Sequence, residues 1–542
     1  MAITERCDQS NVECETVSLD ESKKFKIINI NQATILDEPR SKFDHKAQLI
    51  EIDKLLINTQ NGTKAKSVSR IGVWHQVQVT LALILLTAGV GMPIGYSVVI
   101  LPQLLNHPND SLAMDYEMAS WVASIHSAAT PIGSLASVPI MDAYGRKTTL
   151  LLSVAPLIVG WSSIALAESH SMILIGRIIC GIAVGLMSAP AQILLAEMSQ
   201  ANLRGMLVSV PFVSYSSGIL LVYALGSLLH WRIAAWCGLL LPIFSFMAIS
   251  VAPESPTWLA RKGYYDKARK ALTWLRDSDE TAKAELKETI ERIENEKNQI
   301  DKSQSLERVI TQPSVLKPLI LINVFNVLQI LSGTYIIVFY AVDIITEICN
   351  FGDTMEISTM QSAVITAVIR LLLTVIYCVL LLKCHRRKLY LSSTFFSGIF
   401  ALMLSLFLYI KGNTTKSFHD LIIIGILMLL YISFNSPLML VPGIMVGELL
   451  PLRVRHWSGI IFTAFNLMLF GITKLFPTLK AMLKSRGLFL MFGISSLLAS
   501  LLFYMFLPET KNRTLNEIED YYQQRNWIWQ SRTRKFDKSD QS

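Results

Sequence analysis

The sequence predicts an all-α membrane protein: twelve transmembrane helices in two six-helix bundles, joined by a cytoplasmic helical insert. Three observations predict it. The 542 residues are 52% hydrophobic and only 17% charged, with a mean hydropathy of +0.43. The apolar residues gather in blocks of about 20, the length a helix needs to cross a bilayer. A set of charged loop residues also recurs at nearly constant offsets, as an internal duplication would produce.

Residues 1–70 are polar, with Phe25 and Phe43 their only aromatics, and read as a disordered cytoplasmic tail. The amino bundle fills 71–252, with apolar blocks near 76–101, 117–140, 148–167, 172–196, 206–229 and 233–251. The polar stretch 253–315 holds KARKALTWLRDSDETAKAELKETIERIENEKN, rich in helix formers with opposite charges four apart, such as Glu288 and Arg292. It reads as surface helices. The carboxyl bundle fills 316–507, with blocks near 318–346, 361–382, 390–410, 420–446, 457–477 and 487–507. Residues 508–542 form a cytoplasmic tail.

The net charge of +8 does not point to nucleic acid, because the basic residues fall mostly in alternate loops. Arg146 and Lys147 follow span 2, Arg204 span 4, Lys383 to Lys388 span 8, and Arg453 and Arg455 span 10. By the positive-inside rule both termini are cytoplasmic in a multi-pass plasma-membrane protein. Lys411, Lys416, Lys480, Lys484 and Arg486 run against the pattern. Sequons at Asn109 and Asn413 then face outside as glycosylation acceptors, while those at Asn61 and Asn512 face inside. The seven cysteines are scattered without metal spacing. No catalytic constellation or cofactor loop is present, so neither an enzyme nor a cofactor is expected.

The repeated loop residues are specific. Glu197 and Arg204 recur as Glu448 and Arg455, both at an offset of 251. Pro253-Glu254 after span 6 recurs as Pro508-Glu509 after span 12. After span 2 comes DAYGRK, with Asp142 and Arg146; Gly145 permits a tight turn. In PESPTWL, Ser255 can cap a helix and Pro256 suits its first turn.

These pieces resemble the sugar porter family of the major facilitator superfamily over about residues 75–520. The marks are DAYGRK, PESPTWL, LPETKNRTL, GRIICGIAVG and the loops EMSQANLRG and ELLPLRVRH. Ser120-Trp121 and Pro211 look most like the insect facilitated trehalose transporter branch. The resemblance implies the major facilitator fold, two bundles rocking about a central sugar site, in a carrier that functions as a monomer. It implies an inner charge network of Asp142, Arg146, Glu197, Arg204 and Glu254 in one bundle and Glu448, Arg455 and Glu509 in the other. The second copy departs from the family pattern, with Leu382 and His385 in LKCHRRK where an acid and a glycine are expected.

The family's sugar ligands carry over only in part. Gln329 matches the first Gln of the span-7 motif, Asn466 the span-11 Asn and Phe434 the span-10 aromatic. Elsewhere the residue types differ: Ile330 and Tyr335 in span 7, Phe212 in span 5, Arg370 in span 8, Asn435 and Gly443 in span 10. Arg370 lies mid-span, where a charge must face a partner or a cavity. It either pairs with a neighbour such as Asp343 or serves the solute. Proton-coupled members carry an Asp after the Gly-Tyr of span 1. Here Ser97 follows Gly95-Tyr96, which favours downhill transport.

The resulting expectation is a facilitative uniporter of trehalose or a hexose. A carrier of another small, perhaps anionic, solute and a non-transporting nutrient sensor are the alternatives. Within LQILSGTYIIVFY, Gln329 and Tyr335 point about 120° apart on a regular helix. For both to reach one solute, span 7 must break near Gly333-Thr334.

Overall fold

Hydrophobic length sets the elements. A computed structural model describes residues 70–105, 112–199, 207, 210–300, 312–342, 344, 359–411, 418–440, 445, 449–450, 458–511, 515–524 and 527–528. Contacts divide the chain into units 1–66 and 67–542, and all the described residues belong to the second. Every described element is helical.

In the amino half, spans 1 to 5 are Arg70–Leu105, Tyr116–Tyr144, Arg146–Ala165, His170–Met198 and Val210–Leu228. Span 6 is Trp231–Gly238 continued by Leu240–Val251. In the carboxyl half, span 7 is Pro313–Leu331 followed by Ile336–Phe339. Spans 8 and 9 are Thr359–Lys383 and Arg386–Lys411; span 10 is Phe418–Asn435 with a 3-10 turn, Ser436–Met439. Spans 11 and 12 lie within Ser458–Phe506, which is broken at Lys484 (φ 55°, ψ 172°).

Ten stretches among the described residues are long and apolar enough to cross a membrane. Two reasons bring the number to twelve. The Ser458–Phe506 stretch counts once there but folds back at Lys484. Span 2 is less apolar because it buries Ser120, Ser124, Ser127, Thr130, Ser134 and Ser137 among its neighbours. Its partner is span 4, and the two touch through glycines. A Cβ at Gly133 would overlap the Ile182 carbonyl, and one at Gly185 the Thr130 carbonyl. Close approach through small residues is how helices associate where water gives no hydrophobic drive.

The insert is three helices, Pro256–Arg261, Tyr265–Arg276 and Asp279–Ile300. Ser255 caps the first, accepting from the Trp258 N–H at 3.2 Å, and Pro256 stands in its first turn. Arg276 ties the insert to the amino bundle. It pairs with Glu285 at 2.7 Å and donates to the Met198 carbonyl at the end of span 4 at 3.1 Å. His75 of span 1 stacks on Trp274 at 4.1 Å. Glu288 and Arg292 form their expected pair at 2.9 Å, on the exposed face. A final helix, Leu515–Gln523, sits on the first turns of span 7, where Lys317 donates to the Tyr522 and Gln524 carbonyls at 3.1 and 2.5 Å.

Candidate functional site

A cavity of about 260 Å³ lies between the two halves. Thr87, His126, Gln192, Phe212 and Tyr215 of spans 1, 2, 4 and 5 line one side. Asn326, Tyr335, Thr374, Phe465 and Asn466 of spans 7, 8 and 11 line the other. The lining runs from mid-span toward the face that carries the insert: span 5 contributes its first turns, including Pro211, and span 11 contributes from Ile461 to Leu469.

Toward the opposite face the halves are packed together. The Tyr223 hydroxyl of span 5 donates to the Val338 carbonyl of span 7 at 2.6 Å, and within the carboxyl half Tyr340 donates to the Thr473 carbonyl at 3.0 Å. Lys474 of span 11 donates to the Ser120 hydroxyl of span 2 at 2.7 Å and stands 4.1 Å over the Trp121 ring. Phe470 lies 6.2 Å from the same ring.

Behind the cavity, span 7 breaks. Helix stops at Leu331, Gly333 takes a left-handed φ of 80°, and helix resumes at Ile336. A break frees backbone carbonyls in a low-dielectric interior, and each must find a donor. Spans 8 and 10 supply them. Tyr431 and Asn435 both donate to the Ser332 carbonyl, Asn435 at 3.0 Å. Arg370 donates to the Thr334 carbonyl at 2.8 Å. Asn435 also accepts from the Thr334 hydroxyl at 2.5 Å. Arg370 is buried, with Tyr223, Tyr335, Tyr431 and Tyr215 in electrostatic reach. Its suggested partner Asp343 lies outside the described residues.

At the insert face, Arg146 joins two acids. It meets Glu197 at 3.2 Å and Asp142 at 3.9 Å. Glu254 meets the backbone: its carboxylate accepts from the N–H groups of Arg146 and Lys147 at 2.9 and 3.0 Å. Glu509 does the same in the other half, accepting from the N–H groups of Arg386 and Arg387 at 3.2 and 3.3 Å. Each acid therefore caps the start of the third helix of its bundle, where the exposed N–H groups carry partial positive charge. Arg204, Glu448 and Arg455 lie outside the described residues, as do the sequons Asn109 and Asn413.

The family model for sugar (and other) transporters matches residues 90–522. The chain belongs to that family. Among curated relatives of this transporter, the facilitated trehalose transporter Tret1 of Apis mellifera ligustica is 29% identical over 460 residues, 84% of this chain and 90% of the bee protein. The one from Polypedilum vanderplanki is 30% identical over 487 residues, 89% and 94% of the two chains. A solved structure of the major facilitator proton:xylose symporter XylE, bound to 6-bromo-6-deoxy-D-glucose, matches with a TM-score of 0.69 at 20% identity, covering 83% of this chain and all of that one. The inward open xylose transporter XylE from E. coli matches with 0.63 at 19% identity, covering 82% and 99%. At such identities the structures show the fold alone, the major facilitator fold; with its long apolar helices this member of the sugar transporter family is a multi-pass membrane protein.

Of the residues singled out from the sequence, Tyr335, Asn466 and Phe212 line the cavity. Asn466 turns its amide back to the Phe462 carbonyl at 2.8 Å. Tyr335 meets Phe465 at 5.3 Å. Gln329, Arg370, Asn435 and Phe434 are not among the lining residues. Gln329 donates to the Leu438 carbonyl at 2.6 Å. Phe434 packs between Phe396 and Phe400 at 5.1 and 5.6 Å. His126, Asn326 and Gln192 line the cavity and were not anticipated. A polar residue amid an apolar span was the available signal.

Proposed function

We propose that this sugar transporter family member carries a neutral sugar, trehalose or a hexose, across the plasma membrane by facilitated diffusion. Both termini are cytoplasmic, the acceptors Asn109 and Asn413 are external, and the carrier works as a monomer. The observation that carries the reading is the cavity shared by the two halves, with hydroxyl-bonding groups and aromatic walls on both sides. With the insert cytoplasmic, this arrangement is inward-facing. Alternating access follows if the Lys474–Trp121 contact parts while the insert face closes.

Tyr335, Asn466 and Phe212 then meet the solute. Arg370, Asn435 and Gln329 hold the broken span 7 behind it, and Phe434 stiffens span 10. Arg146, Glu197, Asp142 and Glu254, with Arg204, Glu448, Arg455 and Glu509, form the inner gate. Uniport is supported by Arg177. Its guanidinium is buried in span 4 and donates to the Ser97 hydroxyl at 2.6 Å, where proton-coupled members carry an acid. It donates further to the Val122 carbonyl at 3.0 Å, and span 1 has no carboxylate to titrate beside it.

The test is uptake of radiolabelled trehalose, hexoses and small organic anions by the purified full-length protein in liposomes. Saturable sugar uptake is expected. Uptake of anions alone would replace the sugar reading with the anionic one, and no transport of any solute would favour a sensor.

A further inference from the structure

Every residue named from the sequence as a sugar ligand lies in spans 5, 7, 8, 10 and 11. Span 2 nevertheless turns a polar stripe to the same cavity: His126, Ser127, Thr130 and Ser134, with Ser188 and Gln192 of span 4 alongside. The spacing of His126, Thr130 and Ser134 puts all three on one helical face. His126 is 2% exposed, and its Nε2 has no hydrogen-bond partner among the described residues; the same holds for Ser134 Oγ. A buried polar atom left unpaired is costly, so a group that pairs with it gains selectivity from the difference.

The hydroxyls on this wall define what that group must be. Thr130 donates its proton to the His126 carbonyl at 2.9 Å, and Ser188 donates to the Gly185 carbonyl at 2.9 Å. Both therefore face the cavity with lone pairs. The Gln192 amide offers a donor and an acceptor, and a neutral imidazole offers one of each on opposite edges. A solute that matches must bring donors and acceptors together. Sugar hydroxyls do; an ionised carboxylate brings acceptors only, and a hydrocarbon neither.

We propose that this amino-half wall, centred on His126, is a second subsite for sugar hydroxyls and that His126 sets specificity. The solute is then held from both bundles at once. The proposal rests on the sugar-transport reading and names the side of the cavity that reads hydroxyls.

The test uses full-length protein in liposomes, with labelled D-glucose and trehalose, competed by a panel of mono-deoxyglucoses. The wild type is expected to reject at least one deoxy analogue by about tenfold, the size of one lost hydrogen bond. His126→Phe should raise KM by about tenfold with maximal rate nearly kept, and should remove that discrimination. His126→Gln should restore most of both, and His126→Ala, which also removes the hydrogen-bonding groups, serves as the test variant if the Phe protein is not recovered folded. Wild-type KM and an unchanged deoxy profile in the tested variant would overturn the subsite while leaving sugar transport standing. A wild type that moves no sugar would overturn both.

Discussion

Gly333→Ala tests the break in span 7 directly. Gly333 sits at φ 80°, where an L side chain is strained by about 1–2 kcal/mol. A Cβ there would stand 2.7 Å from two ring carbons of Phe492. That ring has little room to retreat: it is fully buried, and it packs against Tyr431 at 6.4 Å and Phe489 at 5.6 Å. Overpacking of this kind adds about 1–3 kcal/mol. Together the two effects should destabilise the folded carrier by about 2–5 kcal/mol. The assay is the unfolding midpoint in detergent, paired with initial uptake rates. Gly425→Ala is the control, since a Cβ there meets nothing within 4 Å. If Gly333→Ala and Gly425→Ala behave alike in both measurements, the claim that span 7 needs a left-handed residue at this point fails.

Three further outcomes follow from the geometry. Glu254→Ala removes the acceptor for three N–H groups at the start of span 3 and should cost about 1–2 kcal/mol, with Glu254→Gln losing less; an unshifted unfolding midpoint would discount the cap. Trp121→Ala removes a cation–π contact at 4.1 Å, worth about 0.5–2 kcal/mol. It should raise labelling of a cysteine placed at Ile94 by an impermeant reagent added on the face away from the insert, and unchanged labelling would deny Lys474–Trp121 a gating role. Asp279 is held well below the usual carboxylate range by hydrogen bonds from Arg269 and Lys283. A depressed carboxyl stabilises the fold above its unfolded value of about 3.9, and that contribution fades as pH falls through the lower folded value. Wild type should thus exceed Asp279→Asn in stability at neutral pH and converge with it in strong acid; parallel pH curves would count against the pairing.

The spans were legible because bilayer length imposes blocks of about 20 apolar residues. The broken helix was legible too, since Ser332, Gly333 and Thr334 interrupt one such block. What each polar residue faces was not. The break resets the helical phase, so the direction of Gln329 depends on how the chain turns at Gly333, and it ends on the Leu438 carbonyl. Arg370 drew attention as a mid-span charge. Its partner is a backbone carbonyl, which no side-chain pattern reveals. Glu254 and Glu509 were paired by their repeat spacing, yet the groups they meet are N–H donors common to every residue type. His126 stands four and eight residues before Thr130 and Ser134, but a stripe of small hydroxyl residues in span 2 equally suits close helix packing, so the spacing alone does not turn it toward a cavity.

Counterflow tests the central claim most directly. Liposomes holding the full-length protein are loaded with unlabelled trehalose and diluted into a trace of labelled trehalose, with no pH or potential difference. A facilitative carrier with one alternating site predicts a transient overshoot of label inside, at matched hexose as well if the site accepts both. A flat time course for every sugar tried, or label entry only when a proton gradient is imposed, would contradict the account.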